Sequence, residues 1–317
     1  MNQRHPALGV FFALAAAILF GLNASTTKVI MASGISAELV VFIRAFSTAL
    51  FALIWALTAN PRLLKVPLRK IPILLFMGIV GVGLLQWTYS IAVSLLPIGI
   101  ALLIEYTAVL IVPVVALVMF KEKVRPQIWL GAIMVIAGLA VVAQIWGGGL
   151  NPTGVLFGFA AALSLTVFFL LGERIQRWLP TSVTMFYGMT FAAMFFAPFA
   201  GILEFDWSSL GNSVALSGNL APTEVPLWLS LIWLGTIGAF IPMACSYLAL
   251  RHLSATIVGI IATSETVLAF LFAFLWLNEV ISLMQALGGL VVVAGILIAQ
   301  TARKGGSKIE TAGQPQG

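Results

Sequence analysis

Residues 97–123 read PIGIALLIEYTAVLIVPVVALVMFKEK, and this stretch indicates the class of fold. Between residues 97 and 120 it holds one charged residue, Glu105, and it ends in a basic cluster. About 20 consecutive apolar residues are enough to span a bilayer as a helix. An excess of Lys and Arg is typical of the cytoplasmic end of such a span. The stretch therefore predicts a transmembrane helix that carries a carboxylate inside the membrane.

The rest of the chain repeats this pattern. Of the 317 residues, 61% are hydrophobic and 8% are charged, and the mean hydropathy is +1.12. A soluble domain carries about a quarter charged residues, so lipid is the solvent that fits this surface. Ten apolar runs are long enough to cross a bilayer: 7–31, 36–58, 71–93, 97–120, 127–146, 153–173, 181–203, 226–250, 254–277 and 281–300. The sequence predicts an all-α, multi-pass protein of the cytoplasmic (inner) membrane with ten transmembrane helices.

The basic residues outside the spans lie in alternate connections. The segments that carry them are the N-terminus, 60–71, 121–126, 174–177, 251 and the tail, whereas the other connections, including the long loop 204–225, have no Lys or Arg. Cytoplasmic loops are the ones enriched in Lys and Arg, so both termini are expected in the cytoplasm. The net charge of +6 is explained by these loops, and no nucleic-acid partner is predicted.

The two halves of the chain resemble each other. Gly9-Val10-Phe11-Phe12 matches Gly154-Val155-Leu156-Phe157, and Glu122, Gly131 and Gly138 match Glu279, Gly288 and Gly295 at one constant separation. Five spans per half is an odd number, so the halves are expected to have opposite orientations, as in alternating-access transporters. The predicted organisation is a first five-helix repeat over 1–149, a second, inverted one over 150–300, and a disordered cytoplasmic tail over 301–317. The glycines seven residues apart are interpreted as packing positions.

Three longer stretches resemble a known family. They are LFGLNASTTKVI at 19–30 followed by FIRAF at 42–46, the stretch quoted first, and SETVLAFLFAFLWLNEVISLMQALGGLVVVAGI at 264–296. Together they are similar to the EamA branch of the drug/metabolite transporter superfamily, and the stretch 97–107 is most similar to its threonine/homoserine exporters. The resemblance implies ten helices in two inverted repeats around a central cavity, and export of amino acids or related metabolites against protons. The second half lacks a counterpart of Arg44, so the halves are not expected to be equivalent.

Four charged residues lie well inside the predicted spans: Lys28, Arg44, Glu105 and Glu265. A charge in the membrane interior is costly unless it is paired or hydrated, so each is a functional candidate. Their charges sum to zero, which allows two internal ion pairs. Glu105 and Glu265 are predicted to lie about 12 and 16 Å deep, close to the bilayer midplane.

Different roles are expected for the four charged residues. Desolvation disfavours the charged form of a carboxylate, so Glu105 and Glu265 suit proton exchange or recognition of an ammonium group. Arg44 keeps its charge and suits a substrate carboxylate or pairing with a glutamate. Lys28 lies near the outer end of the first span and is within snorkelling range of the surface. For all four, a purely structural role stays open.

Polar side chains near these charges are candidate substrate-binding residues. Gln86 and Tyr89 follow one helical face of the third span, Asn23 lies on the first span, and Tyr106 and Ser264 adjoin the glutamates. Trp87 is included as a possible cavity wall, although a lone aromatic residue is more often packing.

Other classes of function are weaker. The chain has one cysteine, two histidines outside the spans and no Walker-type phosphate loop, so no enzyme activity, metal site or cofactor is predicted. The charges at the midplane are isolated rather than arranged in rings, which disfavours a channel. The predicted function is a secondary active exporter of a small molecule, most simply an amino acid, with proton coupling and with a monomer or weak homodimer as the unit. An exporter or exchanger of another metabolite or drug, such as a nucleoside or organic cation, and a non-transport membrane protein stay open.

Overall fold

The computed structural model describes residues 5–108, 110–111, 115, 126–142, 150–176, 178–253, 258, 261–279 and 282–304. Within these ranges the chain is mostly helical. The helices are α1 Pro6–Ala32, α2 Ala37–Ala59, α3 Leu68–Leu95, α4 Ile98–Glu105, α5 Pro126–Val142, α6 Pro152–Gln176, α7 Thr181–Phe196, α8 Leu227–His252, α9 Ser264–Leu277 and α10 Leu283–Lys304. Of these, α1, α2, α3, α6 and α8 are long and apolar enough to cross a membrane, and α5, α7, α9 and α10 contain shorter apolar segments.

Local sequence explains several helix ends. A proline begins α1 and another begins α6, at a position where the missing N–H costs no hydrogen bond. The hydroxyl of Ser36 accepts a hydrogen bond from the Leu39 amide and caps α2. The last helix, α10, continues to Lys304, beyond the span predicted to end at 300, because a basic C-terminal turn is favourable for a helix. The greater part of the predicted tail, 305–317, lies outside the described residues.

The outer surface of the bundle is apolar. Large hydrophobic side chains such as Phe11, Ile54, Ile136, Leu156 and Phe274 are exposed, while asparagine, threonine, arginine and glutamate side chains are buried. An exposed apolar surface of this extent is incompatible with water as the surrounding solvent. It agrees with the lipid-facing surface expected from the composition.

The helices pack in pairs that relate one half of the chain to the other. Helix α1 packs against α8 and α9, and α6 packs in the same way against α3 and α4. Helices α2 and α7 pack together, as do α4 with α9 and α5 with α10. Each helix of one half therefore packs against the corresponding elements of the other half, as its repeat counterpart does. The residues between α1, α3, α4, α6, α8 and α9 lie at the centre.

Glycines bring α5 and α10 into close contact. A Cβ atom on Gly138 would lie 2.8 Å from the Gly288 carbonyl oxygen, and one on Gly295 would lie 2.8 Å from the Gly131 carbonyl oxygen. Such distances leave no room for a side chain. The geometry confirms the interpretation of Gly138 and Gly295 as packing positions.

Two helices contain π-helical segments that the sequence did not predict. They occupy Met77–Leu84 in α3 and Thr236–Phe240 in α8. The second segment corresponds to the first in the internal repeat. It lies within the residues found 157 positions further along the chain, which is also the separation between Glu122 and Glu279. A π-helical turn displaces backbone carbonyl groups from the regular α-helical pattern and often occurs at functional sites.

The long connection between α7 and α8 has a structure of its own. It contains a 3₁₀ turn at Trp207–Gly211, which is followed by an antiparallel pair of strands, β1 Ser213–Ala215 and β2 Glu224–Pro226. Asp206 begins the turn and accepts hydrogen bonds from the Ser208 hydroxyl and amide, which lower the pKa of its carboxyl group.

Candidate functional site

The centre of the bundle contains a cavity of about 100 Å³. It lies between α1, α2, α3, α4, α6, α8 and α9. Seven of the ten candidate residues from the sequence line it: Asn23, Arg44, Gln86, Tyr89, Glu105, Tyr106 and Glu265.

Both glutamates lie beside interruptions of a helix. Helix α4 ends at Glu105, and a turn at Tyr106 and Thr107 separates it from the helical residue Ala108. A turn at Thr263 separates helical residues 261–262 from α9, which begins one residue before Glu265. The two interruptions are related by the 157-residue separation of the repeat. Interrupted helices with free backbone groups are the usual substrate and ion sites of inverted-repeat transporters.

The two carboxylates have different neighbours. Glu265 accepts a 2.8 Å hydrogen bond at Oε2 from the Tyr106 hydroxyl. Glu105 is equally buried, with the two residues 8% and 9% exposed. Its Oε2 atom has no hydrogen-bond partner among the described residues, and the same holds for the Tyr89 hydroxyl. Unsatisfied polar atoms in a buried site are unusual, and here they face a cavity that can admit a ligand.

Arg44 contributes the positive charge of the cavity. Its Nη2 atom donates a 3.4 Å hydrogen bond to the carbonyl of Gly238, inside the π-helical segment of α8. The Nε and Nη1 atoms have no hydrogen-bond partner in the described part of the chain. A side chain on Gly238 would collide with Asn23, so glycine allows both polar side chains to approach this backbone. The guanidinium lines the same cavity as Glu105 and Glu265, but no ion pair joins it to either of these carboxylates.

The two halves of the chain contribute different chemistry to the cavity. Most of the polar lining comes from residues before 150, whereas Leu165, Phe168, Phe169, Met243 and Leu250 from the second half form an apolar wall. Related positions show the contrast: Phe168 follows Asn23 by 145 residues, and Met243 follows Gln86 by 157. The second half therefore contributes mainly apolar side chains, with Glu265 and Ser246 as its polar groups, whereas the first half contributes most of the polar groups together with the apolar residues Ala13, Ala16, Ala17, Phe20 and Leu85.

Three candidates from the sequence lie elsewhere. Lys28 forms an ion pair with Glu279 at 2.6 Å and contacts the Leu96 carbonyl, so the two internal ion pairs that the charge sum allows do not form. Trp87 donates a 2.7 Å hydrogen bond to Glu38 and packs on Phe157 and Phe196. The Ser264 hydroxyl donates to the Ile261 carbonyl at 2.6 Å, because a hydroxyl at the first residue of a helix has a backbone acceptor within reach.

The sequence interpretation missed the apolar wall. Phe168, Phe169 and Met243 carry no charge and lie in uniformly apolar runs, so nothing in their type distinguishes them from lipid-facing residues. The internal repeat could have indicated these residues, because Phe168 and Met243 correspond in the repeat to Asn23 and Gln86, which were identified as candidates. Among the described residues no group of three or more His, Cys, Asp or Glu side chains has a metal-binding arrangement.

Comparisons with known proteins give a consistent result. The sequence model of the EamA-like transporter family matches residues 7–144 and again 152–301. The chain is 24% identical over 291 residues to the uncharacterized transporter YdfC of Bacillus subtilis, covering 88% of this chain and 87% of the relative. It is 24% identical over 244 residues to the threonine/homoserine exporter RhtA of Escherichia coli K12, covering 74% and 73%. A solved crystal structure at 21% identity aligns with a TM-score of 0.63 over 95% of this chain and 99% of the other, a similarity of fold alone.

Proposed function

Because the chain belongs to the EamA-like transporter family, we propose that this multi-pass membrane protein is a secondary active exporter of amino acids or closely related small metabolites, coupled to protons. The family and the names of the relatives indicate transport rather than enzyme catalysis. The threonine/homoserine exporter among the relatives favours amino acids as the first class to test.

The proposed topology has ten spans in two inverted five-helix repeats, 1–149 and 150–300, with both termini in the cytoplasm. The alternation of basic and uncharged connections supports this orientation. The reciprocal packing of α1 on α8 and α9, and of α6 on α3 and α4, supports an exchange of the halves about an axis in the membrane plane. One chain contains both halves of the cavity, so a monomer is sufficient, and a weak homodimer is compatible with it.

One observation carries the proposed substrate class: Arg44, Glu105 and Glu265 line a single buried cavity without an ion pair between the arginine and either carboxylate. An amino acid has a carboxylate that can bind the two unpartnered nitrogens of Arg44, and an ammonium group that can bind a glutamate. Buried charges require such partners. A cation without a carboxylate would leave the arginine unmatched.

The size and polarity of the cavity support a small amphipathic substrate. Pockets for drug-sized ligands measure about 300–1,000 Å³, whereas this cavity measures about 100 Å³. Nucleosides and most drugs are therefore less favoured than an amino acid. With its charged groups on Arg44 and the glutamates, such a substrate would direct its side chain toward Phe168 and Met243.

Proton coupling follows from competition for the carboxylates. Glu105 and Glu265 lose hydration in the cavity, and a bound proton or a substrate ammonium group offsets that cost. An empty return of the carrier with both carboxylates ionised would carry uncompensated negative charge through a low-dielectric site. Alternating occupation by protons from the outside and substrate from the inside avoids this and couples the two flows.

Uptake into inside-out membrane vesicles tests the proposal. We expect a radiolabelled panel that includes threonine and apolar and aromatic amino acids to show accumulation when the vesicle lumen is acidic, and loss of that accumulation on addition of an uncoupler. Glu105→Gln and Glu265→Gln should abolish the response to the pH gradient, whereas Glu38→Gln, which removes a carboxylate outside the cavity, should retain it.

Two results would overturn parts of this proposal. Normal proton-dependent transport by both Glu105→Gln and Glu265→Gln over about pH 5.5–8 would exclude these carboxylates as the coupling groups. Absence of amino-acid uptake by folded protein, with uptake of a nucleoside or an organic cation, would replace the substrate class and keep the transporter.

A further inference from the structure

Lys28 and Glu279 join four helix ends at one end of the bundle. Lys28 Nζ donates to Glu279 Oε1 at 2.6 Å and to the Leu96 carbonyl at 3.2 Å. Glu279 Oε2 accepts a 3.1 Å hydrogen bond from the Ile98 amide, the first residue of α4. The side chains are 29% and 19% exposed, so solvent screens the pair only partly. We name these two side chains, with the Leu96 carbonyl and the Ile98 amide, the Lys28 clamp.

The clamp connects the two groups of helices that enclose the cavity. Lys28 belongs to α1 and Glu279 follows α9, and these helices pack together. Leu96 lies in the turn between α3 and α4, and Ile98 is the first residue of α4. Both of these helices pack against α6. The ion pair therefore lies within the group that contains α1 and α9. Its hydrogen bonds to Leu96 and Ile98 hold the group that contains α3, α4 and α6. Separating the groups at this end requires both hydrogen bonds to break.

The same four elements carry cavity residues. Asn23 lies on α1, Tyr89 on α3, Glu105 at the end of α4 and Glu265 in the first turn of α9. Helix α4 is eight residues long. Its first amide, at Ile98, donates to Glu279, and its last residue, Glu105, is a candidate coupling carboxylate. A change at the clamp is thus one short rigid helix away from Glu105.

The opposite end of the bundle has different chemistry at the related positions. Glu173 follows Lys28 by 145 residues, the separation between Gly9 and Gly154, and Glu122 precedes Glu279 by 157. Both related positions are acidic, so the lysine of the pair is not repeated at the position that corresponds to Lys28. Glu122 lies outside the described residues.

We propose that the Lys28 clamp is a one-sided gate that keeps the Lys28 end of the cavity closed and holds α4 and α9 in register when the substrate is bound from the other side. This inference rests on the proposed alternating access, in which the two helix groups rock around the central site. The positive-inside pattern assigns the Lys28 end to the outside of the cell. Opening to the outside then requires release of the α3–α4 turn from Lys28 and Glu279.

Labelling of a cavity cysteine from outside the cell tests the gate without any transport measurement. The reporter is Ser246→Cys, which lines the cavity, in a Cys245→Ser background that removes the native thiol. Intact cells are treated with a membrane-impermeant thiol reagent in the absence of substrate. We expect Lys28→Gln and Glu279→Gln to increase the labelling rate by about fivefold or more, the size of a typical coupling between two states.

Three further variants separate a gate from a general loosening. Lys28→Arg keeps a cationic donor and should restore slow labelling. Glu38→Gln, which weakens the hydrogen bond between Glu38 and Trp87 without touching the clamp, should label at the original rate. The exchanged pair Lys28→Glu with Glu279→Lys keeps an ion pair but sets a carboxylate beside the Leu96 carbonyl and an ammonium group beside the Ile98 amide, so both original hydrogen bonds are lost and it should label fast.

The outcomes distinguish the gate from the proposed function. Unchanged labelling in both Lys28→Gln and Glu279→Gln, full protection in the exchanged pair, or equal acceleration by Glu38→Gln would each overturn the gate. Faster labelling in the clamp variants supports the gate even if no amino acid is transported, because the assay contains no substrate. Glu279→Gln keeps the size and an acceptor oxygen but loses the charge that holds Lys28 and strengthens the bond from the Ile98 amide, so it provides a folded variant with a weakened clamp, checked by gel filtration, if Lys28→Gln does not fold.

Discussion

The Tyr106 hydroxyl donates a 2.8 Å hydrogen bond to the carboxylate of Glu265, across 159 residues of sequence. Tyr106 lies in the turn that follows α4, directly after Glu105, and Glu265 lies in the first turn of α9. This bond joins the interrupted helices of the two halves at the cavity. A change in the charge or partner of Glu265 therefore alters the hydrogen bond of Tyr106, the residue next to Glu105.

Removal of the Tyr106 hydroxyl should impair transport without unfolding the protein. Tyr106→Phe keeps the buried ring and removes one hydrogen bond to a charged group, which is worth about 1.5–3 kcal/mol. We expect the initial rate of uptake at subsaturating substrate to fall about tenfold or more, with surface expression unchanged. The rate is measured in vesicles that contain equal amounts of protein.

Tyr187→Phe is the matched control, because its hydroxyl donates to the Leu64 carbonyl at 2.7 Å and Tyr187 does not line the described cavity. It should transport at close to the original rate. Equal impairment of the two variants would assign the Tyr106 hydroxyl a general packing role.

Loss of the Arg44 charge should affect substrates that carry a carboxylate. In Arg44→Gln we expect the apparent affinity for a transported amino acid to fall about tenfold or more, since a hydrogen bond to a charged group contributes about 1.5–3 kcal/mol. Inhibition by the corresponding primary amine, which lacks the carboxylate, should change little. Competition against labelled substrate measures both values.

Arg44→Lys serves as the comparison, because it keeps the charge but loses the planar fork that binds a carboxylate through two nitrogens. Its affinity should lie between those of the original protein and Arg44→Gln. An equal loss of affinity for the amino acid and the amine would show that Arg44 acts on helix packing instead.

The sequence predicted the charged part of the site because charge is rare in this chain. Arg44, Glu105 and Glu265 interrupt long apolar runs, and the cost of burying them limits where they can lie. Lys28 met the same criterion and lies elsewhere, because its partner Glu279 is 251 residues away and outside the predicted spans. A pattern of single residues does not identify which charges meet.

The backbone irregularities could not be predicted in the same way. The residues of Met77–Leu84 and Thr236–Phe240 are as apolar as the rest of their spans, and a π-helical turn depends on how neighbouring helices pack. Gly238 illustrates this, because its role depends on Asn23 and Arg44, which approach it from two other helices. The internal repeat, by contrast, was visible in the sequence and relates both pairs of irregular segments.

A single methyl group at Gly138 should destabilise the packing of α5 on α10. In Gly138→Ala the new Cβ would lie 2.7 Å from Val292 Cγ2 and 2.8 Å from the Gly288 carbonyl oxygen, so the helices must move apart. Overpacking of this kind costs about 1–3 kcal/mol. We expect the apparent Tm in detergent to fall by several degrees, about 2–4 °C per kcal/mol in proteins of 150–250 residues.

Gly188→Ala adds the same methyl group in α7, where no described atom lies within 4 Å of the new Cβ. Its Tm should stay the same or rise, because alanine favours a helix over glycine. A decrease equal to that of Gly138→Ala would contradict the packing argument.

The apolar wall should set the size of the substrate side chain. Phe168 is buried, its ring packs on Tyr247 with centroids 5.3 Å apart, and it lines the cavity opposite the polar residues of the first half. Phe168→Leu removes part of this wall and enlarges the space for a side chain. We expect the ratio of transport efficiency, kcat/KM, for a large apolar amino acid over a small one to rise about tenfold or more, since one methylene group in an apolar pocket discriminates by about 1–3 kcal/mol.

Phe186→Leu removes the same atoms from α7, at a position that does not line the described cavity, and should leave the ratio unchanged. Side-chain selectivity is a more specific measurement than total transport, because a loss of folding lowers both rates together and cancels in the ratio. An unchanged ratio in Phe168→Leu, with the small substrate still transported, would place the side chain of the substrate away from this wall. The polar residues of the cavity would then be left as the determinant of recognition, since Arg44, Glu105 and Glu265 are proposed to bind the groups that all amino acids share.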